Sequence, residues 1–127
     1  MANTELSTED KIFKAANNIL LLYGYHGTTM QKIAILAGVH KSEIHYYFRS
    51  KEKLYIRVVK SVIENFLDSC TDLIPNQVII EQQRWFLFTE LYNNQDLFEK
   101  SLKEIYLNDW NKKLNDIKKL LKTGETI

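Results

Sequence analysis

Apolar residues recur three or four positions apart along almost the whole chain. Nowhere do they alternate with polar ones for long enough to suggest a strand. Ser7, with Asp10 three positions later, opens a first helix. Ile12, Ala15, Ala16, Ile19, Leu20 and Tyr23 mark one face of it at helical spacing, and Gly24 ends it. Thr28 or Thr29 caps a second, short helix whose inner face is Met30, Ile33, Ala34 and Ala37. Gly38 supplies the break, because it can take a positive φ where a side chain would clash. A third short helix is predicted from about Lys41 to Phe48, with Ile44, Tyr47 and Phe48 on one side. Ser50 caps a fourth, long helix that carries Leu54, Val58, Val62, Ile63, Phe66 and Leu67 towards Cys70. The pattern stops around residues 71–75, the predicted seam. Beyond it come an aromatic-rich helix over roughly 76–92, a turn at Asn93 and Asn94, and one or two helices from about 96 to 122. With four glycines and one proline to break it, the chain reads as all-α.

The second and third helices carry the function. Two short helices joined by Ala37-Gly38-Val39, with Ile33, Ala34, Val39, Ile44 and Tyr47 as apolar contacts, form a helix-turn-helix. Ala34 lets the helices cross closely, and Ile33, Val39 and Ile44 fill the wedge. The third helix is then anchored by one face, and Lys41, Ser42, His45 and Tyr46 are held outward. That is the geometry that inserts a recognition helix into the major groove. Thr28 and Thr29, and likewise Ser50 and Lys51, open helices whose free N–H groups can bind phosphate oxygens, with the Lys51 charge added. Such contacts set register on a duplex, while the groove-facing side chains read sequence.

Charge sharpens this picture once it is divided. The net charge is only +1, but residues 31–60 hold seven basic residues against two acids, a balance of +5. Residues 61–127 hold eight against eleven, a balance of −3. A basic segment beside an acidic one suits a polyanion-binding half and a half with another task. At 127 residues there is room for one core, or for two small ones sharing an interface. The single cysteine rules out an intrachain disulfide and fits a reducing compartment. No apolar run approaches the length of a membrane span, and the polar start "MANTE" has no signal-peptide character. The expected location is cytoplasmic.

The stretch "NNILLLYGYHGTTMQKIAILAGVHKSEIHYYFRSKEKL", residues 17–54, resembles the N-terminal domain of the TetR-type bacterial transcriptional regulators. Gly24-Tyr25, Thr28-Thr29, Ile33-Ala34, Ala37-Gly38-Val39, Tyr46-Tyr47-Phe48 and the "KEKL" opening of the fourth helix carry the likeness. The expected organisation is a three-helix helix-turn-helix DNA-binding domain over 6–66, with its motif at 29–48. A shortened helical ligand-binding and dimerisation region over 67–127 would follow. The resemblance implies a homodimeric regulator, usually a repressor, on a palindromic operator in double-stranded DNA, relieved when a small molecule binds the C-terminal helices. Thr29 and Lys51 would contact phosphate; Lys41, Ser42, Glu43 and Tyr46 would face or flank the groove; Tyr47 and Phe48 would pack inward.

Several positions depart from the family pattern. His40 stands where a small hydroxyl residue usually caps the recognition helix; a lost cap costs about 1 kcal/mol unless Ser42 or Glu43 compensates. His45 replaces a phosphate-seeking tyrosine, so affinity is expected to rise below about pH 6.5. Glu43 replaces a small residue or threonine and would repel phosphate unless it accepts from a cytosine amino group. Family members continue for several more helices, the last two of which make the dimer contact, whereas this sequence stops at "KTGETI", like the Gly-Glu segment before them.

Other chemistry finds little support. His26, His40 and His45 lack the i, i+4 spacing of a helical metal site, and no cofactor is implied. There is no phosphate loop, nucleophile elbow or metalloprotease motif, so an enzyme is not expected. Phe66, Trp85, Phe88, Tyr92 and Trp110 either line a ligand pocket or form plain core. The lysines of residues 112–122 read as a solvated face. The competing function is an interaction protein, a truncated form that pairs with another regulator rather than repressing alone. Salt separates the two, since phosphate contacts make binding fall steeply with salt and apolar burial does not.

Overall fold

A computed structural model of the chain describes residues 6–69 and 77–123. The seam read at 71–75, Cys70 and the segment at 124–127 lie outside the described residues. Those described are helical almost throughout: α1 (Thr8–Tyr23), α2 (Met30–Ala37), α3 (Lys41–Phe48), α4 (Lys51–Ser69), α5 (Gln77–Asn93), α6 (Gln95–Tyr106) and α7 (Trp110–Thr123). A single 3-10 turn, Leu107–Asp109, separates the last two. The chain divides into two compact units between Val58 and Val59, inside α4.

In the first unit the helix ends are set by local chemistry. The Ser7 side chain accepts from the Asp10 N–H at 3.1 Å and starts α1. Thr29, not Thr28, caps α2, its hydroxyl oxygen accepting from the Lys32 N–H at 3.1 Å. Gly38 sits in the left-handed region (φ 71°, ψ 36°) and donates its N–H to the Ala34 and Ile35 carbonyls. The Val39 N–H also returns to Ala34, so α2 closes tightly and the chain turns at once towards α3. Gly27 is required for a different reason: a Cβ there would lie 2.5 Å from the Tyr23 carbonyl oxygen. Ser50 caps α4 through the Lys53 N–H.

The core of this unit is Ile12, Ala15, Ala16, Ile19, Leu20, Ile33, Ala34, Ile44, Phe48, Leu54, Tyr55 and Val58, all buried. Two expected members of it are not inside. Tyr23, in the last turn of α1, is 59% exposed, with the Lys32 ammonium 5.1 Å from its ring centre. Tyr47 is 41% exposed. Ile44 and Phe48, one turn apart, take the buried face of an eight-residue helix, and Tyr47 falls beside them, packed edge-on against Tyr46.

In the second unit, Val62, Ile63, Phe66, Phe86, Leu87, Leu91, Phe98, Leu102, Leu114, Ile117 and Leu121 fill the interior. Apolar residues of α5 are spread around the helix rather than gathered on one face. Its inner face also carries Gln83 and Glu90, while Val78, Trp85, Phe88 and Tyr92 remain exposed. Glu90 accepts from the Asn94 side-chain amide at 3.2 Å, and the buried Ser101 hydroxyl donates to the Leu97 carbonyl at 2.8 Å. Gln83 Oε1, Arg84 Nε and the Tyr106 hydroxyl are buried with no hydrogen-bond partner among the described residues. Burial, and then the nearby Glu64 carboxylate, push the Tyr106 phenol up to about 12. No helix among the described residues is long and apolar enough to cross a membrane.

Candidate nucleic-acid interface

Helix α3 is amphipathic in a particular sense: Ile44 and Phe48 are only 0% and 3% exposed, and the rest of its surface is polar or aromatic. Lys41, Ser42, His45 and Tyr46 are all exposed, Tyr46 by 70%. One short helix therefore offers an exposed cation at its first residue, and a hydroxyl, an imidazole and a phenol beyond it. These are the donor and acceptor types that read base edges and phosphates.

The ends of α3 explain its departures from the family pattern. His40 is the N-cap residue, and the cap is supplied from the other direction: the Glu43 carboxylate accepts from the His40 N–H at 3.1 Å. Glu43 is only part-exposed, so it is committed to the helix start. At the other end, His45 Nδ1 lies 3.2 Å from the Arg49 carbonyl oxygen. A carbonyl only accepts, so Nδ1 carries the proton, and Nε2 is an acceptor on the neutral ring and a donor on the protonated one. Arg49 has a positive φ of 73°, unusual for a side-chain-bearing residue, and is exposed between α3 and α4.

The residues expected to meet phosphate divide. Thr29 is exposed at the start of α2. Thr28 is not available: it is 0% exposed, and its hydroxyl donates to the Gly24 carbonyl at 2.7 Å, bracing the turn after α1. Lys51, the first residue of α4, holds its ammonium 4.1 Å from the ring centre of Tyr25. Lys32 Nζ donates to the Gly27 carbonyl at 3.0 Å. Sequence reasoning missed the exposed Tyr47 and Arg49. The signal for Tyr47 was present, since Ile44 and Phe48 already account for the buried face of so short a helix.

The aromatic residues read as either pocket lining or core differ in burial. Phe66 is fully buried, while Trp85 and Tyr92 are 64% and 68% exposed. Trp85 stacks on Phe88, and Phe88 meets Tyr92 at a tilt of 50°, forming a surface ladder along α5. Two shallow depressions of about 170 and 390 Å³ flank Phe88. One is lined with Glu81, Arg84, Trp85 and Leu121, the other with Leu91, Tyr92, Lys118, Leu121 and Lys122. Neither is lined by Phe66 or Trp110. Trp110 is part-exposed, with the Lys103 ammonium 4.7 Å from its ring centre.

Comparison with known proteins bears on the first unit above all. Residues 12–58 match the family model described as bacterial regulatory proteins, tetR family. The HTH-type transcriptional regulator RutR of Escherichia coli (strain K12) is 45% identical over 56 residues, covering 44% of this chain and 26% of RutR. The HTH-type transcriptional repressor NicS of Pseudomonas putida is 39% identical over 59 residues, covering 46% of this chain and 28% of NicS. The icaADBC negative regulator IcaR of Staphylococcus aureus (strain Newman) is 30% identical over 76 residues, covering 60% and 37%. The chain therefore spans about a quarter to a third of the length of these curated relatives. A crystal structure of a HlyIIR mutant protein carrying a GSSGSSG linker superposes with a TM-score of 0.59. It is 25% identical and is covered to 72% by a match taking in 92% of this chain.

Proposed function

We propose that this chain carries a DNA-binding domain of the tetR family of bacterial regulatory proteins, and that it regulates transcription by binding double-stranded DNA through α3. In this reading two copies pair on a palindromic operator and repress. A small molecule bound by the helices of the second unit relieves the repression. The observation that carries it is that α3 buries Ile44 and Phe48 while Lys41, Ser42, His45 and Tyr46 are all exposed. Within that reading Lys41, Ser42, His45 and Tyr46 meet the groove, and Thr29 and Lys51 meet phosphates. Glu43 holds the helix start rather than a base.

The test is selection of bound sequences from a random duplex library, followed by a salt titration of the winner. Enrichment of an inverted repeat, with affinity falling steeply with salt, supports the proposal. No enrichment, together with salt-insensitive behaviour, removes it. A second reading draws on the exposed Trp85, Phe88 and Tyr92 rings of α5: a protein that pairs with another regulator through an apolar surface. Its signature would be a protein complex whose stability changes little with salt.

A further inference from the structure

We propose that Tyr25 is a positioning residue for DNA binding, its ring holding the Lys51 ammonium where α4 meets a phosphate; this rests on the DNA-binding reading above.

Lys51 occupies an electrostatically poor place for a cation. It is the first residue of α4, and the unpaired N–H groups of a helix start carry partial positive charge. An anion is welcome there, and a lysine is not unless something compensates it. The ring face of Tyr25 does so: at 4.1 Å it is the closest cation–ring approach among the described residues, the others ranging from 4.7 to 5.9 Å.

Tyr25 is itself fixed. Its ring packs edge-on against Tyr55 at 5.0 Å, and Tyr55 is 0% exposed. Tyr55 follows Lys51 by four residues, so both lie on one face of α4 and Tyr25 reaches across the two. On its other side it meets the His26 ring, edge-on at 5.4 Å. The segment between α1 and α2 is thereby tied to the start of α4, and a flexible lysine is ordered before any phosphate arrives. Ordering in advance removes an entropy cost that binding would otherwise carry.

The test is a double-mutant cycle read by fluorescence anisotropy on a short labelled duplex of arbitrary sequence, from about 50 to 200 mM salt. Lys51→Ala is expected to weaken binding and to lower the salt slope by about 0.9. Tyr25→Leu is expected to reproduce much of that affinity loss in the wild-type background and none of it in the Lys51→Ala background. A ring that merely supported the fold would cost affinity in both. Tyr25→Phe should bind like the wild type, and replacing that phenylalanine by progressively fluorinated analogues should weaken binding stepwise, since fluorine drains the ring face with little change of shape.

Equal losses from Tyr25→Leu in both backgrounds, or an unchanged affinity across the fluorinated series, overturn the proposal. The fluorinated series decides the matter if Tyr25→Leu does not fold. A steep wild-type slope that Lys51→Ala leaves intact sinks the positioning role while sparing the DNA reading. A flat wild-type slope sinks both.

Discussion

Glu43 stands three residues after His40 and accepts its N–H at 3.1 Å, so an acid in a basic segment is tolerated because it finishes a helix that lacks a hydroxyl cap. Its removal should therefore cost fold stability first. Glu43→Ala is expected to lower stability by about 1 kcal/mol in urea unfolding followed by circular dichroism. Glu43→Gln keeps an acceptor and should hold stability while binding a duplex at least as tightly, one repulsive charge having gone. Tyr106 gives a second residue-level expectation. Burial and Glu64 raise its phenol from the ordinary 10 to about 12. Below pH 10 both folded and unfolded chains keep the proton, and the folded state loses nothing. Between pH 10 and 12 the unfolded chain ionises and the folded one does not, so stability falls as pH rises through that window. Tyr106→Phe should fall less across it and cost little at neutral pH, since the hydroxyl has no partner among the described residues. Urea midpoints of the two proteins at a series of alkaline pH values measure this directly.

Helix α3 invites an experiment on its two sides. Ile44→Ala deletes a fully buried side chain and should cost about 2–5 kcal/mol. Tyr46→Ala, on the exposed side, should stay within about 0.5 kcal/mol of the wild type yet lose discrimination among duplex sequences. If Tyr46→Ala unfolds the protein, or leaves selectivity untouched, the outward side is not the reading side. The same helix shows what periodicity conveys. Ser7, Gly24, Gly38 and the limits of α3 were legible because caps and left-handed turns depend on residue type within three or four positions. Burial was legible where two apolar residues stand one turn apart, as Ile44 and Phe48 do. It failed at Tyr23 and Tyr47, because a tyrosine fits a buried stripe and an exposed edge equally well. Thr28 and Thr29 looked interchangeable for a related reason: only the fold decides which hydroxyl turns inward to Gly24. In α5 the pattern itself was silent, since apolar residues on every side leave no inner face to read, and Trp85, Phe88 and Tyr92, read as pocket or core, remain exposed along it.

For the whole molecule, one reading head is a weak instrument. A single α3 reaches few base pairs, and useful selectivity on DNA comes from two heads about 34 Å apart, one helical turn of the duplex. The charge division fits such an arrangement: the +5 of residues 31–60 supplies attraction to any duplex, and pairing supplies the choice of site. The two effects separate experimentally. Binding is compared on a duplex holding a selected half-site, on one holding the inverted repeat, and on one with the half-sites moved half a helical turn apart. Paired chains are expected to prefer the correctly spaced repeat by far more than twofold and to lose that preference when the second half-site is rotated to the opposite side of the duplex. Light scattering across a concentration series should then report a dimer at the concentrations where the preference appears. Chains that stay monomeric and bind all three duplexes alike would retain a working α3 but forfeit the operator model, and the exposed rings of α5 would become the place to look for a different protein partner.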